Sequence, residues 1–161
     1  MRTGSQGVAL IKKFEGCELQ AYQCSADVWT IGYGHTRGVR EGDEISEDKA
    51  EYLLLEDLKH FEKYVDQLVT TSLNQDQFDA LVAWTFNLGP TNLKESTLLL
   101  RLNEGQYDDV PAEMARWNRS NCEVLAGLPR RRKAEGLLFP GLDWQEVKPR
   151  YKRLRHSERS R

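Results

Sequence analysis

The sequence predicts an α+β fold in which a small sheet is set apart on the N-terminal side of a larger helical body. Three observations carry that prediction. β-branched, aromatic and glycine residues crowd a single stretch, Leu19 to Arg40. Apolar residues recur at helical spacing before that stretch and through most of the chain after it. No internal repeat, low-complexity run or long Gly/Ser/Pro linker divides the chain, and 161 residues at 39% hydrophobic are enough for one substantial core.

Taken in order, Val8, Ile11 and Phe14 define a short helix that Gly16 stops, which places Glu15 at a helix end. Tyr22, Val28 to Ile31, Tyr33 and Val39, interrupted by Gly32, Gly34 and Gly38, read as a small twisted meander. Ser46 followed by Glu47 and Asp48 is an N-cap with acids in the first turn, and a stripe from Leu53 to Leu68 continues it as one long helix. Asn74 with Gln77 forms a capping pair for a helix that Gly89-Pro90 ends. Leu98–Leu102, Val110–Trp117 and Arg131–Phe139 each suit a further short helix. A helix end and a sheet facing a helical lobe leave a cleft between them.

Composition narrows the function. No window approaches the roughly 18 apolar residues of a membrane helix, and the N-terminus has no apolar signal core. Three cysteines, Cys17, Cys24 and Cys122, are too few for a disulfide-stapled scaffold and fit synthesis in a reducing compartment. The three histidines lie far apart, no C-x-x-C is present, and Gly32-Tyr33-Gly34 lacks the third glycine and helix of a phosphate loop, so neither a metal nor a nucleotide is expected. The net charge of -2 hides a basic end: from Val147 to Arg161, seven Lys or Arg face one acid, Glu158. Such a tail suits a polyanion or is simply solvated, and it lacks the aromatic platform that would point to nucleic acid.

What remains is an acid at a helix terminus beside a glycine-rich sheet. Residues 14–36, FEGCELQAYQCSADVWTIGYGHT, resemble the signature of the phage lysozymes, or endolysins, of glycoside hydrolase family 24. In that signature a Glu is followed after eight residues by Asp, in some members Cys, and after five more by Thr. Glu15, Cys24 and Thr30 occupy those positions, and the words EG, AY and WTIGYGHT flank them. The likeness continues through FNLG at 86–89, ESTLLLRL at 95–102, ARWNR at 115–119 and GLPRRRKAEGLLF at 127–139.

The resemblance implies a lysozyme-like architecture, with a sheet lobe and a helical lobe joined by the long helix. The likeness reaches to about Phe139, and the charge pattern marks off the basic tail, 147–161, from residues 1–146, which are expected to form one catalytic domain. It also implies an endolysin that hydrolyses the β-1,4 bond between N-acetylmuramic acid and N-acetylglucosamine, with inversion and without a cofactor. Glu15 would be the general acid, kept protonated by partial burial, and Thr30 would hold the attacking water. Cys24 stands where an acid is commoner and would act as a weak base or a polarising neighbour, with Asp27 as the rival. As ordinary residues, Cys24 would be a small buried hydrophobe and Asp27 a turn residue. A Cys17–Cys24 disulfide would block the thiol, although two unpaired thiols are the simpler expectation.

By position in the same family, His35 and Asp57 would form a structural pair, Arg131 would orient Glu15, and Asn87 and Thr97 would bind sugar. Trp117 is expected to pack in the core. The expected partner is peptidoglycan, with lipopolysaccharide or an anionic membrane surface for the tail. A monomer, made in the host cytoplasm and acting in the periplasm after holin-mediated release, completes the expectation. A lytic transglycosylase and a non-catalytic peptidoglycan-binding module are the alternatives.

Overall fold

A computed structural model describes residues 1–24, 26–118 and 127–149. Helix α1 (Ser5–Glu15) is followed by strands β1 (Glu18–Gln23) and β2 (Trp29–Gly32), then by α2 (Glu47–Leu68) and α3 (Gln75–Leu88). The short helices α4 (Pro90–Glu95) and α5 (Thr97–Asn103), a 3-10 turn, α6 (Val110–Ala115) and finally α7 (Leu128–Leu138) complete the body.

Helix α1 stops where expected. Gly16 has φ 69° and ψ 167°, a conformation that is open to glycine and strained for other residues, and its amide closes the last turn on Lys12 O at 3.0 Å. The start of α1 has no side-chain cap of its own, since Gly4 occupies the N-cap. Asp79 of α3 supplies the acceptors instead: its Oδ1 receives the Gly4 amide at 2.9 Å and its Oδ2 the Gly7 amide at 3.0 Å. A Cβ on Gly7 would stand 2.8 Å from Asp79 Cβ, so the two helices meet this closely because residue 7 has no side chain.

The predicted meander is a two-stranded ribbon. β1 and β2 pair antiparallel with Tyr22 opposite Thr30 and Gln23 opposite Trp29, and only single bridges, Ile31 with His35 and Gln20 with Glu44, extend it. The physical reason lies in Gly32 and Gly34, whose φ values of 64° and 80° turn the chain back within four residues, too sharply for a third strand to lie alongside.

Ser46 Oγ accepts the Lys49 amide at 3.1 Å to start α2, and Ala50, Leu54, Leu58 and Val65 form its buried stripe. Asn74 and Gln77 form the full capping box of α3, whose middle, Phe78 to Thr85, is buried all round because α1, α2 and α7 pack against it. Gly89 ends α3 as read from the sequence, but Pro90 then opens α4, where its fixed φ and missing amide suit the first turn of a helix. Ser96 caps α5, which therefore begins at Thr97. Helix α6 ends at Ala115, two residues before the expected limit, and Trp117 packs edge-on against Trp84 at 5.6 Å, as a core residue should. Helix α7 starts at Leu128, a turn earlier than expected, because Pro129 sits in its first turn and continues the helix to Arg131.

Asp79 joins two helices through buried hydrogen bonds, so Asp79→Ala should lower stability by about 2–3 kcal/mol, the sum of a lost cap and unsatisfied amides. Urea denaturation of the two proteins checks it.

Candidate active site

Glu15 is the last residue of α1, and the turn at Gly16 frees its side chain to face the loop that follows β2. The approach there is close: a Cβ built on Gly34 would lie 2.7 Å from Glu15 Oε1. From the opposite side α7 brings Arg131, whose Nη1 donates to Glu15 Oε2 at 2.6 Å. The carboxylate is 15% exposed and the guanidinium 0%. Burial in general penalises a charged carboxylate and a neighbouring guanidinium stabilises it, and both conditions meet at this residue. The site thus holds two opposed influences on one proton.

Arg131 is anchored on its other nitrogens. Its Nη2 donates to Ala83 O of α3 at 3.1 Å and its Nε to Glu135 Oε2 at 3.2 Å. Glu135 also meets the neighbouring arginine, with its Oε1 2.8 Å from Arg132 Nη1. Arg132 Nη2 in turn donates to Asn87 Oδ1. Both arginines of α7 are buried, while Arg130 is half-buried and donates to Pro149 O. The basic run therefore divides by helical position into two residues that serve the interior and one that does not.

The other half of the site is built by the hairpin. Val28 O accepts both the Cys24 amide at 3.1 Å and the Thr30 hydroxyl at 3.0 Å, so one carbonyl ties these two residues together. Thr30 is 4% exposed, and with its hydrogen committed to Val28 its oxygen is left as an acceptor. Asp27 sits exposed in the turn with φ 61°, its amide donating to Cys24 O.

The cysteines depart from expectation. Cys24 is disulfide-bonded, and Cys17 is a free, exposed thiol, so the two are neither paired with one another nor both unpaired. The partner of Cys24 lies outside the described residues. A sulfur in a disulfide has no proton to exchange, so Cys24 in this form cannot serve as a base.

His35 and Asp57 pair as expected, Nδ1 to Oδ2 at 2.7 Å, with the second ring nitrogen 2.9 Å from Arg37 O. This contact fastens the loop after β2 to α2. Between Gly32 and Gly34, burial pushes the Tyr33 phenol up and the Cys17 thiol adds to this, while the Lys12 cation opposes it. Thr97 is the exposed first residue of α5. Among the described residues no group of three or more His, Cys, Asp or Glu is placed to hold a metal ion, and no helix is long and apolar enough to cross a membrane.

Sequence reasoning missed Glu135, Arg132 and the specific part of Gly34. The signal for the first two was present, because residues 131, 132 and 135 stand three and four apart on one helix, the spacing at which side chains meet. Gly34 was read only as punctuation of a strand.

Comparison with known proteins agrees with this geometry. Residues 12–135 match a family model described as phage lysozyme. The chain is 40% identical over 143 residues to an endolysin of Acyrthosiphon pisum secondary endosymbiont phage 1, covering 86% of this chain and 98% of that one. Among solved structures it is similar to the muramidase domain of SpmX from Asticaccaulis excentricus, at a TM-score of 0.79 and 42% identity, over 86% of this chain and 97% of that domain. It is also similar to a mutant of P22 lysozyme, at a TM-score of 0.74 and 36% identity, over 88% and 99% of the two chains.

Two glycines separate the roles of strain and of space. Gly34 and Gly38 both have positive φ, but a side chain at 34 meets Glu15 and one at 38 meets nothing within 4 Å. Gly34→Ala should therefore lower the rate of sacculus clearing about 100-fold, the scale of a catalytic group displaced by an ångström, while Gly38→Ala stays near the parent rate. Turbidity assays on the two variants, with circular dichroism to confirm folding, read the difference.

Proposed function

The chain belongs to the phage lysozyme family, and from that membership we propose how its cleft cuts a glycan strand. It is an endolysin, a glycoside hydrolase of the lysozyme type. The substrate bond is the β-1,4 link from N-acetylmuramic acid to N-acetylglucosamine. The observation that carries the reading is a carboxyl group at a helix end, clamped by a buried arginine and pressed against a glycine loop.

Glu15 in its acid form donates its proton to the glycosidic oxygen as the C1–O bond breaks, and ends as a carboxylate beside Arg131. Water attacks C1 from the opposite face, so the configuration inverts. The Thr30 oxygen accepts a hydrogen bond from that water and so aims a lone pair of the water at the sugar carbon. The proton released by the water passes to the Cys24 thiolate in a chain whose disulfide is reduced, and otherwise to solvent. Asn87, held by Arg132, and Thr97 on the rim bind sugar hydroxyls or amides. His35 and Asp57 hold the lobes and take no part in proton transfer.

Residues 1–146 act as one catalytic domain, as a monomer and without a cofactor. The basic tail, 147–161, of which 150–161 lie outside the described residues, serves as an adaptor for lipopolysaccharide or anionic lipid. The enzyme is made in the host cytoplasm and acts in the periplasm after holin-mediated release.

Purified sacculi digested with the protein should yield reducing N-acetylmuramic acid ends by mass spectrometry. Glu15→Gln should lower turnover by about 10³-fold, as loss of a general acid does. Anhydro ends would make the enzyme a transglycosylase, and no new ends from folded protein would make it a binding module. In dithiothreitol, Cys24→Ala should cost roughly 10-fold or more, and equal rates would remove Cys24 from the reaction.

A further inference from the structure

We propose that Glu135 is a positioning residue that raises the proton affinity of the Glu15 carboxylate by acting through Arg131. The inference rests on reading Glu15 as the general acid.

Glu135 is fully buried, and a carboxylate is costly to bury unless it is paired. Its pairing is what gives it a task. One oxygen meets Arg131 Nε at 3.2 Å and the other Arg132 Nη1 at 2.8 Å. The guanidinium is a rigid planar fork, so fixing Nε on Glu135 and Nη2 on Ala83 O determines where Nη1 points. Nη1 points at Glu15, 2.6 Å away. A truncated side chain at 135 would leave that contact free to swing.

The charge of Glu135 works against the pull that its geometry holds in place. Arg131 alone would draw Glu15 toward the ionised form, which cannot donate a proton. The negative charge of Glu135 on the far side of the same guanidinium opposes that pull, whereas the positive charge of Arg132 adds to it. Other charged and titratable groups on the elements around the site have contacts of their own among the described residues. On α1, Lys12 meets Glu51 at 2.7 Å and Lys13 donates to Gln145 O. On the sheet side, Tyr33 and Cys17 interact with each other and His35 is held by Asp57. On α3, Asp79 receives the Gly4 and Gly7 amides. At the end of α6, Glu113 pairs with Arg116, the residue just after the helix, at 3.2 Å, and on α7 Arg130 donates to Pro149 O. None of these residues is substituted in the variants below.

The test is a carbon-13 NMR titration of the Glu15 carboxyl in the full chain, with Glu15→Gln to assign the signal. It is paired with the pH profile of sacculus clearing. Glu135→Gln should lower the Glu15 midpoint by about one pH unit, a tenfold loss of proton affinity, and draw the alkaline limb of the rate profile down with it. Arg132→Met should move both in the opposite direction, and it decides the question alone if Glu135→Gln does not fold. A residue that only braces α7 would alter stability and leave both midpoints in place, which overturns the proposal, as does movement of both variants in the same direction. If the midpoints stay in place while Glu15→Gln is inactive, the proposal falls and the general-acid reading stands. If they move as expected while Glu15→Gln still cuts sacculi, the coupling holds and the general-acid reading falls.

Discussion

A guanidinium with no access to solvent has to be met by acceptors on every side, and in this protein the guanidinium of Arg131 draws its acceptors from three different helices. Glu15 closes α1, Ala83 lies inside α3 and Glu135 belongs to the arginine's own helix, α7. Removing one partner of such a buried charge typically costs about 3–5 kcal/mol, because the remaining charge is left uncompensated in a low-dielectric interior. The relative placement of the three helices is held by that requirement, and the end of α1 is consequently held where chemistry can use it. An apolar side chain of similar volume could pack the same space, but it could not direct a donor at a carboxylate.

Around this charge the fold removes side chains where backbone must come close. Gly7 allows α1 to touch Asp79, Gly16 allows α1 to stop at Glu15, and Gly34 allows the loop after β2 to rest against the Glu15 oxygen. The sheet lobe is correspondingly slight, a ribbon of two strands with isolated bridges. Its task is to present Thr30 and the residues around it to a helical body that has its own core. The Val28 carbonyl, shared by the Cys24 amide and the Thr30 hydroxyl, sets the spacing between those two residues.

The chemistry of the site turns on the balance at Glu15. Partial burial and, beyond the guanidinium, the Glu135 carboxylate meet there with the cations of Arg131 and Arg132, and we propose that these opposed influences set the proton of a general acid. Cys24 is different in kind. As half of a disulfide it is neither acid nor base, so in this form of the chain Thr30 is the hairpin residue that we propose holds the water.

Much of this was written in local sequence. Helix ends follow from caps and glycines, as at Ser46, Asn74 and Gly16, because the groups they satisfy lie within one turn. The family and with it the lobed architecture were legible in residues 14–36, where Glu15, Cys24 and Thr30 are close enough in the chain to form one pattern. The arginine run was visible too, but local pattern could not say which member turned inward, since that depends on where α7 begins and what it packs against. Tertiary structure alone decided that Arg131 and Arg132 are interior and Arg130 is not, that Cys17 and Cys24 are separate, and that Asp79 caps a helix 72 residues away in the chain. The reason is physical: a cap or a turn is satisfied by neighbours in sequence, whereas a buried charge is satisfied only by whatever the folded chain brings to it.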